Sequence, residues 1–315
     1  MPLRSLLPVV SVILMCTTSW AAATQREVAV TFDDLPAAHL PASDACNLES
    51  IEKMTERLLA KVTANRVPAV GLVVESRLCD ELRTRHLAPL LERWLDAGLE
   101  LGNHSYSHFD LNQTPSKQYR EDIVRGEATT SRLLAGRGKK LRYFRYPYLH
   151  AGDELEKKRA IETFLTERGY TNAPVTIDNQ EWIFAALYAQ ARNRRDAATA
   201  KRVLDAYIPY METMFEYCED LSTRVLGREI PQVLLLHANP INADSFDALV
   251  EMMTGRGYSY ISLEQALSDE AYRSPDTYVG SQGLSWLLRW AKAADVQVPK
   301  EPREPQWVAE LFRTY

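Results

Sequence analysis

Two histidines and two adjacent carboxylates are the residues of this 315-residue chain whose types and spacing could bind a metal ion. His104 and His108 are four positions apart, and on a helical turn that spacing places both imidazoles on one face. The pair alone is weak evidence, because histidines at this spacing are more often solvated or packed in a core. Asp33 and Asp34 strengthen it, since two histidines and one carboxylate form a common catalytic set with open positions for water. The two acids could alternatively form a turn or cap a helix.

The elements that must position these residues follow an alternating pattern. Short apolar runs alternate with amphipathic stretches, which predicts βα units and an α/β fold. The predicted strands are 28–32, 69–74, 99–102, 143–146, 171–177, 233–236 and 258–262. The predicted helices are 48–64, 86–97, 116–135, 154–168, 185–207, 212–226, 245–255 and 263–269. Nearly fifty residues between Trp182 and Pro231 are predicted to be helical and interrupt the alternation.

The polar residues lie where predicted strands end. Asp33 and Asp34 follow the first strand, His104 the third, Tyr148 the fourth and His237 the sixth. The carboxyl ends of the strands of a βα barrel converge on one face, so residues far apart in sequence would share one pocket. His39 and His150 lie a few residues beyond such strand ends and are predicted to be exposed loop histidines, with substrate contact as the alternative.

The N-terminus has the layout of a cleavable secretory signal. Residues 1–8 carry one arginine and no acid, residues 9–15 are apolar apart from Ser11, and alanines end the segment at residue 23. Lipid attachment at Cys16 is the alternative, disfavoured by the bulky Met15 before it. No later stretch approaches the roughly 20 apolar residues that spanning a bilayer requires. We therefore expect a mature protein without a membrane span, exported to the periplasm or the extracellular space.

Charge and cysteine content narrow the function classes further. The net charge of -5 becomes -6 without Arg4, which argues against a nucleic-acid binder that neutralises phosphates. Three cysteines would remain after signal removal, enough for one disulfide, and the predicted pair is Cys46 with Cys79 because a helix start and a strand end of one βα unit are neighbours. Cys218 would stay unpaired. The predicted organisation is a barrel over 24–270, with a helical insertion at about 183–230, and an extension over 271–315 packed on the barrel.

Five segments, in order, resemble the motifs of the polysaccharide deacetylases of carbohydrate esterase family 4, also called the NodB homology domain. They are Thr31-Phe32-Asp33-Asp34, His104 through His108, Arg145-Tyr146-Pro147-Tyr148, Asp178 through Trp182, and Leu235-Leu236-His237. The resemblance implies a distorted (β/α)7 barrel, similar to a TIM barrel, with one divalent metal ion at its mouth. It implies that Asp34, His104 and His108 are the metal ligands and that Asp33 is the general base.

The resemblance also implies roles for the remaining motif residues. Arg145 would hold Asp33 ionised and oriented through charge-assisted hydrogen bonds, although a salt bridge without a catalytic part is the alternative. The backbone N–H of Tyr148 would help to hold an oxyanion. His237 would protonate the leaving amine, and Asp178 would orient His237. Trp182 could stack on a sugar face, or it could be a core aromatic.

Taken with the residues, the resemblance predicts a metal-dependent hydrolase that removes an acetyl group, N-linked in the favoured case, from a carbohydrate. A water activated by the metal would attack, with Asp33 as base and His237 as acid. Zinc is the expected ion, with cobalt, manganese and nickel as alternatives, and the partner is an acetylated oligosaccharide or polysaccharide. An esterase or small-amide hydrolase on the same fold, and a non-catalytic carbohydrate-binding protein, remain rival interpretations.

Three departures from the family pattern bear on the substrate. Leu35 stands where the first motif usually has glycine, and Glu181 stands where the fourth motif usually has a second aspartate. The helical insertion lies between two motifs and is predicted to roof the pocket, which would favour short substrates over long chains. The oligomeric state is not predicted.

Overall fold

The computed structural model describes residues 26–314. Seven strands form one parallel sheet: β1 (Arg26–Leu35), β2 (Ala69–Val73), β3 (Glu100–Asn103), β4 (Tyr143–Phe144), β5 (Thr171–Asn172), β6 (Gln232–His237) and β7 (Tyr258–Tyr260). The α-helices of this part of the chain are α1 (Leu48–Ala64), α2 (Asp80–Asp96), α3 (Ser116–Gly126), α4 (Ala128–Ala135), α5 (Leu155–Glu167), α6 (Glu181–Asn193), α7 (Ala197–Leu226), α8 (Pro240–Gly255), α9 (Leu263–Leu267), α10 (Trp286–Ala293) and α11 (Gln306–Thr314).

The sheet curls into a distorted barrel. Its strand order is β5-β4-β3-β2-β1-β6, and β7 pairs with the first residues of β1. The segment after β5 closes the ring, because Ala173 donates to the carbonyl of Phe144 on β4 and Ile177 forms a parallel bridge with Leu234 on β6. The α/β fold that the alternating pattern predicted and the distorted (β/α)7 barrel that the resemblance implied are both confirmed.

Buried apolar faces explain why these residues form these elements. From Val28 to Phe32, the centre of β1 is almost completely buried, as expected for a strand of a parallel sheet covered by helices. In α1, Ile51, Met54 and Leu58 are buried at helical spacing, which directs one face of the helix to the core. Asn47 caps α1 by accepting a hydrogen bond from the N–H of Ser50.

The helical segment between the fourth and fifth motifs differs from its prediction in two ways. We predicted a break between 207 and 212, but α7 runs without a break through Pro209, and the chain turns instead between α6 and α7. One interior proline removes one backbone hydrogen bond, and the buried face on both sides of it outweighs that loss. The segment also supplies fully buried side chains to the main core, among them Phe184, Leu187, Met211 and Phe215. It is therefore a structural layer of the barrel, and replacing it with a short linker would remove core.

A disulfide joins Cys46 to Cys79, as predicted, and Cys218 is free and buried. Cys46 lies just before α1 and Cys79 lies just before α2. The bridge therefore connects the segments that enter two neighbouring helices, on the same side of the barrel as the ends of β1 and β2.

Removal of this disulfide is expected to destabilise the protein substantially. The bridge closes a loop of 33 residues, and restricting the unfolded chain in that way contributes about 3 to 4 kcal/mol. Urea unfolding of Cys46→Ser/Cys79→Ser against the wild type measures the difference, with Cys218→Ser as the control for loss of a thiol. Peptide mapping without reduction checks the pairing, and a peptide that joins Cys218 to either of the other two cysteines would contradict it.

No helix within residues 26–314 is long and apolar enough to cross a membrane. The predicted secretory signal at 1–23 lies outside the described residues.

Candidate active site

The register of the sheet brings the predicted base and acid together. Asp33 on β1 is paired with His237 on β6, so the two side chains leave neighbouring strands at the same level. The N–H of Ala238 donates to the carbonyl of Asp33 and continues the pairing past the end of β6. The site therefore forms at the carboxyl ends of the strands, as the strand-end positions of the motifs predicted.

Asp34, His104 and His108 form a cluster that fits a metal ion. One potential ligand atom from each residue lies within 4.8 Å of the others, and Asp34 Oδ1 is 3.5 Å from His108 Nε2. Asp34 Oδ1 is buried and has no hydrogen-bond partner among the described residues. A buried carboxylate oxygen without a partner is costly unless something pairs with it. A cation held between this oxygen and the two imidazoles would satisfy it, and two histidines with one carboxylate suit zinc.

The three side chains also have the charge states that metal binding requires. Burial holds the pKa of His104 below its usual value and lowers the pKa of His108 to about 3, so both imidazoles are neutral. Burial by itself would raise the pKa of Asp34, but His108 and Arg77 outweigh burial and hold it well below its usual range. His104 Nδ1 lies 2.9 Å from the carbonyl oxygen of Arg145, which can only accept, so Nδ1 carries the hydrogen and Nε2 is free to bind a metal.

The backbone that carries the two histidines is a tight loop, not the helical turn that their spacing predicted. Ser105 and His108 both have positive φ, 65° and 55°. The ring centroids of His104 and His108 are nevertheless only 4.9 Å apart. The buried carboxylate of Asp122 holds the loop by accepting hydrogen bonds from the N–H groups of Tyr106 and Ser107. The predicted convergence of the imidazoles is present, and it is produced by hydrogen bonds that the loop donates to Asp122 on α3.

Arg145 contacts Asp33 as the resemblance implied. Its guanidinium is completely buried and donates to Asp33 Oδ1 at 2.6 Å and to Thr31 Oγ1 at 2.7 Å. It also donates to the carbonyl of Ala173, in the segment that closes the barrel. The planar guanidinium of Arg145 therefore links the Asp33 carboxylate on β1 to the segment that closes the barrel after β5.

The prediction that Asp178 orients His237 is wrong. His237 Nδ1 lies 2.7 Å from Glu181 Oε2, and the other Glu181 oxygen accepts hydrogen bonds from the side-chain amides of Asn239 and Asn242. Glu181 is fully buried in the first turn of α6, which directs its side chain beneath His237. Asp178 instead accepts from the N–H of Asn179, and burial together with Glu301 raises its pKa to about 7. A carboxyl group with a pKa near 7 is partly protonated at neutral pH, so it is a poor counter-ion for an imidazolium.

The Glu181 contact keeps His237 protonated at neutral pH. Burial alone would lower the pKa of His237, but the charge and the hydrogen bond of Glu181 raise it to about 9. Since Nδ1 is engaged by Glu181, Nε2 is the nitrogen that can deliver a proton. These are the properties of a general acid.

Tyr148 and Trp182 are both exposed aromatic residues. Tyr148 is 57% exposed, and the centroid of its ring is 4.6 Å from that of His108. Its φ of 58° is unusual for a residue other than glycine. Trp182 is 37% exposed and packs edge-on against Phe312 of α11. Both are therefore accessible from the solvent, and α11 packs against Trp182.

The structure adds three contacts that the sequence analysis missed. Arg77 donates to Asp34 Oδ2 at 2.6 Å, which leaves Oδ1 directed at the imidazoles. His39, predicted to be an exposed loop residue, lies edge-on to His237 at 5.6 Å, and burial lowers its pKa to about 4. His150, predicted likewise, lies 2.7 Å through Nδ1 from Asp110. Spacing gives no indication of these contacts, because each depends on how a loop folds back over a neighbouring strand.

Known proteins are similar to this chain over much of its length. Residues 21–163 match the family model described as polysaccharide deacetylase, a range that includes the first three motifs. The curated peptidoglycan-N-acetylglucosamine deacetylase of Bacillus cereus is 23% identical over 245 residues, which cover 76% of this chain and 67% of that protein.

Two solved structures share the fold. A polysaccharide deacetylase from Bacillus cereus superposes with a TM-score of 0.51 at 18% identity, covering 75% of this chain and 92% of that one. A mutant of a pseudoenzyme of carbohydrate esterase family 4 superposes with a TM-score of 0.50 at 15% identity, covering 78% of this chain and 68% of that one. The match over residues 21–163 shows a polysaccharide deacetylase (NodB homology) domain in this part of the chain, and the two solved structures share its fold.

Proposed function

We propose that this protein is a divalent-metal-dependent hydrolase that removes N-linked acetyl groups from a carbohydrate. The observation that carries the proposal is a base and an acid on paired positions of neighbouring strands: Asp33, held by Arg145, opposite His237, held by Glu181. A pseudoenzyme shares the fold, so similarity to the family does not by itself establish activity. The presence of the proposed base, acid and metal ligands together at the carboxyl end of the sheet supports an active enzyme.

Asp34, His104 and His108 would hold the ion, and zinc is the expected one, with cobalt, manganese and nickel as alternatives. When bound, a divalent ion supplies Lewis-acid catalysis and can lower the pKa of water to about 7. Arg77 would orient the Asp34 carboxylate by donating to its Oδ2, and the Nδ1–H of His104 would orient that imidazole by donating to the carbonyl of Arg145.

The chain's own residues can carry each proton transfer of an amide hydrolysis. Asp33 accepts a proton from the attacking water, and Arg145 keeps the carboxylate oriented for it. The backbone N–H of Tyr148 donates to the carbonyl oxygen as negative charge develops there. His237 gives its proton to the leaving nitrogen, because an amine is a poor leaving group until it is protonated. Acetate and a free amino sugar are the products.

Several features support the finer parts of the proposal. The curated relative is named for an N-acetyl sugar of peptidoglycan, which favours an amide substrate over an ester. A disulfide and the predicted signal at 1–23 support secretion. We propose a barrel domain over 24–270 and an extension over 271–315. The roles of Tyr148 and Trp182 toward substrate are part of the same proposal.

Release of acetate and free amine from candidate substrates tests the function directly. The metal-reconstituted protein, without residues 1–23, is assayed on chitooligosaccharides, peptidoglycan fragments, acetylated xylan and simple N-acetyl sugars. Release from an N-acetylated sugar is expected. Sugar binding without acetate release from any of them would instead favour a non-catalytic carbohydrate-binding protein.

An esterase on the same fold is the second candidate, and His237 separates it from an amidase. His237→Ala is expected to lower kcat on an N-acetyl substrate by about a hundred- to ten-thousandfold, the usual range for loss of a general acid. On an activated acetyl ester the loss is expected to be much smaller, because that leaving group needs no proton. Equal losses on both substrates would contradict the role of His237 as the acid.

One divalent ion per chain is expected, bound through Asp34, His104 and His108. Truncation of either imidazole removes one of three protein ligands, so His104→Ala and His108→Ala are each expected to lose most of the bound metal. Elemental analysis after dialysis measures the content, and His86→Ala is the matched control because His86 lies on α2, outside the cluster. Unchanged metal content in both ligand variants would rule out this site.

A further inference from the structure

The segment that follows the predicted barrel contacts the loop that carries Tyr148. The N–H of Trp286, at the start of α10, donates to the carbonyl of Val175 in the ring-closing segment at 2.7 Å. Ser281 accepts a hydrogen bond from Asn112, and Gly280 donates to the carbonyl of Gly152. Residues 276–293 therefore lie across one side of the barrel mouth, and they lie outside the range that the family model matches.

Arg289 is the central residue of this contact. Its side chain is only 1% exposed, although it carries a permanent charge. It donates to Asp276 Oδ2 at 2.7 Å, to the carbonyl of Leu284 at 3.0 Å and to the carbonyl of Leu149 at 2.5 Å. A buried guanidinium is retained only where its donors are matched by acceptors. One of those acceptors belongs to the residue that directly follows Tyr148.

The turn that Arg289 holds has an unfavourable backbone conformation. Tyr148 and Leu149 both have positive φ, 58° and 54°, and neither is a glycine. Consecutive residues of this kind persist only where the surrounding structure determines them. Gly283 supplies the second constraint, because a Cβ at that position would lie 1.8 Å from the carbonyl oxygen of Tyr148. The C-terminal segment therefore packs directly on the peptide units of the turn.

We propose that Arg289 and Gly283 are positioning residues that fix the Tyr148 N–H for catalysis, so that the C-terminal segment is part of the catalytic apparatus. The proposal rests on the proposed deacetylase function, in which this N–H donates to the developing oxyanion. An oxyanion donor acts only if it is held in place before the reaction, and small displacements of such a group are costly. Arg289 acts through the Leu149 carbonyl and Gly283 through its close approach to Tyr148, and neither needs to touch substrate.

Two variants test the proposal by different routes. Arg289→Met removes the hydrogen bond to Leu149, and Gly283→Ala introduces a methyl group against Tyr148 without changing any charge. Each is expected to lower kcat by about ten- to a hundredfold, below the hundred- to thousandfold typical of losing an oxyanion donor outright. KM and metal content are expected to change little. Hydrogen exchange of peptides that cover residues 146–151 is expected to be faster in both variants.

Matched controls separate positioning from general destabilisation. Arg228→Met breaks an arginine–aspartate pair with Asp269 at a more exposed arginine, outside the contact with the turn, and Gly255→Ala adds a methyl group where no atom lies within 4 Å. Both controls should keep the wild-type kcat and the wild-type exchange of 146–151. Thermal unfolding shows whether each variant is folded at the assay temperature.

The outcomes distinguish this inference from the proposed function. If the wild type releases acetate while Arg289→Met and Gly283→Ala keep both kcat and slow exchange, the inference is wrong and the function stands. If the wild type releases no acetate from any substrate, the proposed function is wrong, and the claim that these residues act in catalysis is overturned with it. Faster exchange in both variants would then still show that they hold the turn.

Discussion

Asp33→Asn is expected to lower kcat by about a hundred- to ten-thousandfold while the protein keeps its metal and its KM changes little. Asparagine preserves the shape of the side chain and can still accept the Arg145 hydrogen bond that aspartate accepts at 2.6 Å. It cannot accept a proton from water. The loss therefore falls on the proton-transfer step, and elemental analysis with steady-state kinetics on one N-acetyl substrate measures both quantities.

Asp34→Asn is the matched comparison, because the two acids are adjacent and both are nearly fully buried. Asp34 Oδ1 lies beside the imidazoles, and the other oxygen accepts from Arg77, so an amide at this position weakens the metal site itself. At metal-ion concentrations that saturate the Asp33→Asn variant, the Asp34→Asn variant is expected to bind little metal. The reverse pattern, metal lost from the Asp33 variant and kept by the Asp34 variant, would show that the two roles are exchanged.

Glu181→Gln is expected to lower kcat on N-acetyl substrates by at least about a hundredfold, as loss of a general acid does. The Glu181 carboxylate accepts from His237 Nδ1 and stabilises the imidazolium form. A glutamine amide can still accept from Asn239 and Asn242, but it presents a donor to Nδ1 and favours the neutral tautomer. Neutral imidazole is a much weaker acid, so protonation of the leaving nitrogen fails although the protein remains folded.

The pH dependence of kcat provides a second measure of the same contact. The pKa of His237 is raised from 6.5 to about 9, so the acid form is present below that value and is lost as pH rises through it. Without the Glu181 charge, the pKa falls toward its ordinary value or below. The alkaline limb of kcat is therefore expected at lower pH in Glu181→Gln than in the wild type, both compared in the metal-loaded state because a bound cation also lowers the pKa of His237.

Asp178→Asn is the control for the Glu181 variant, because the family resemblance favoured Asp178 for this role. Asp178 hydrogen-bonds to the N–H of Asn179 and not to His237, so its amide variant should leave the alkaline limb of kcat where the wild type has it. A shifted limb in Asp178→Asn together with an unchanged limb in Glu181→Gln would contradict the structural assignment.

Local sequence patterns predicted where most of the strands and helices lie. Strands at the predicted positions follow from short apolar runs, and α1 has the predicted bounds because its buried residues recur at helical spacing between Asn47 and Asn65. Helix starts were less predictable. α2 begins at Asp80, six residues earlier than predicted, since the first turn of that helix is polar and carries no apolar periodicity. The turn between α6 and α7 was also misplaced, because Pro209 is tolerated within a helix whose two halves share one buried face.

By itself the sequence indicated that the motif residues follow strands and so lie at one end of the barrel, because their order along the chain and their positions after apolar runs are local properties. Only the tertiary structure decided which of them touch. Glu181 and Asp178 are three residues apart in one motif, and the direction of the first turn of α6 puts Glu181 and not Asp178 against His237. Arg77 reaches Asp34, and Arg289 reaches the Tyr148 turn from 140 residues away, through folding of segments that carry no motif. Such contacts depend on the placement of whole elements, and composition and spacing contain no measure of that placement.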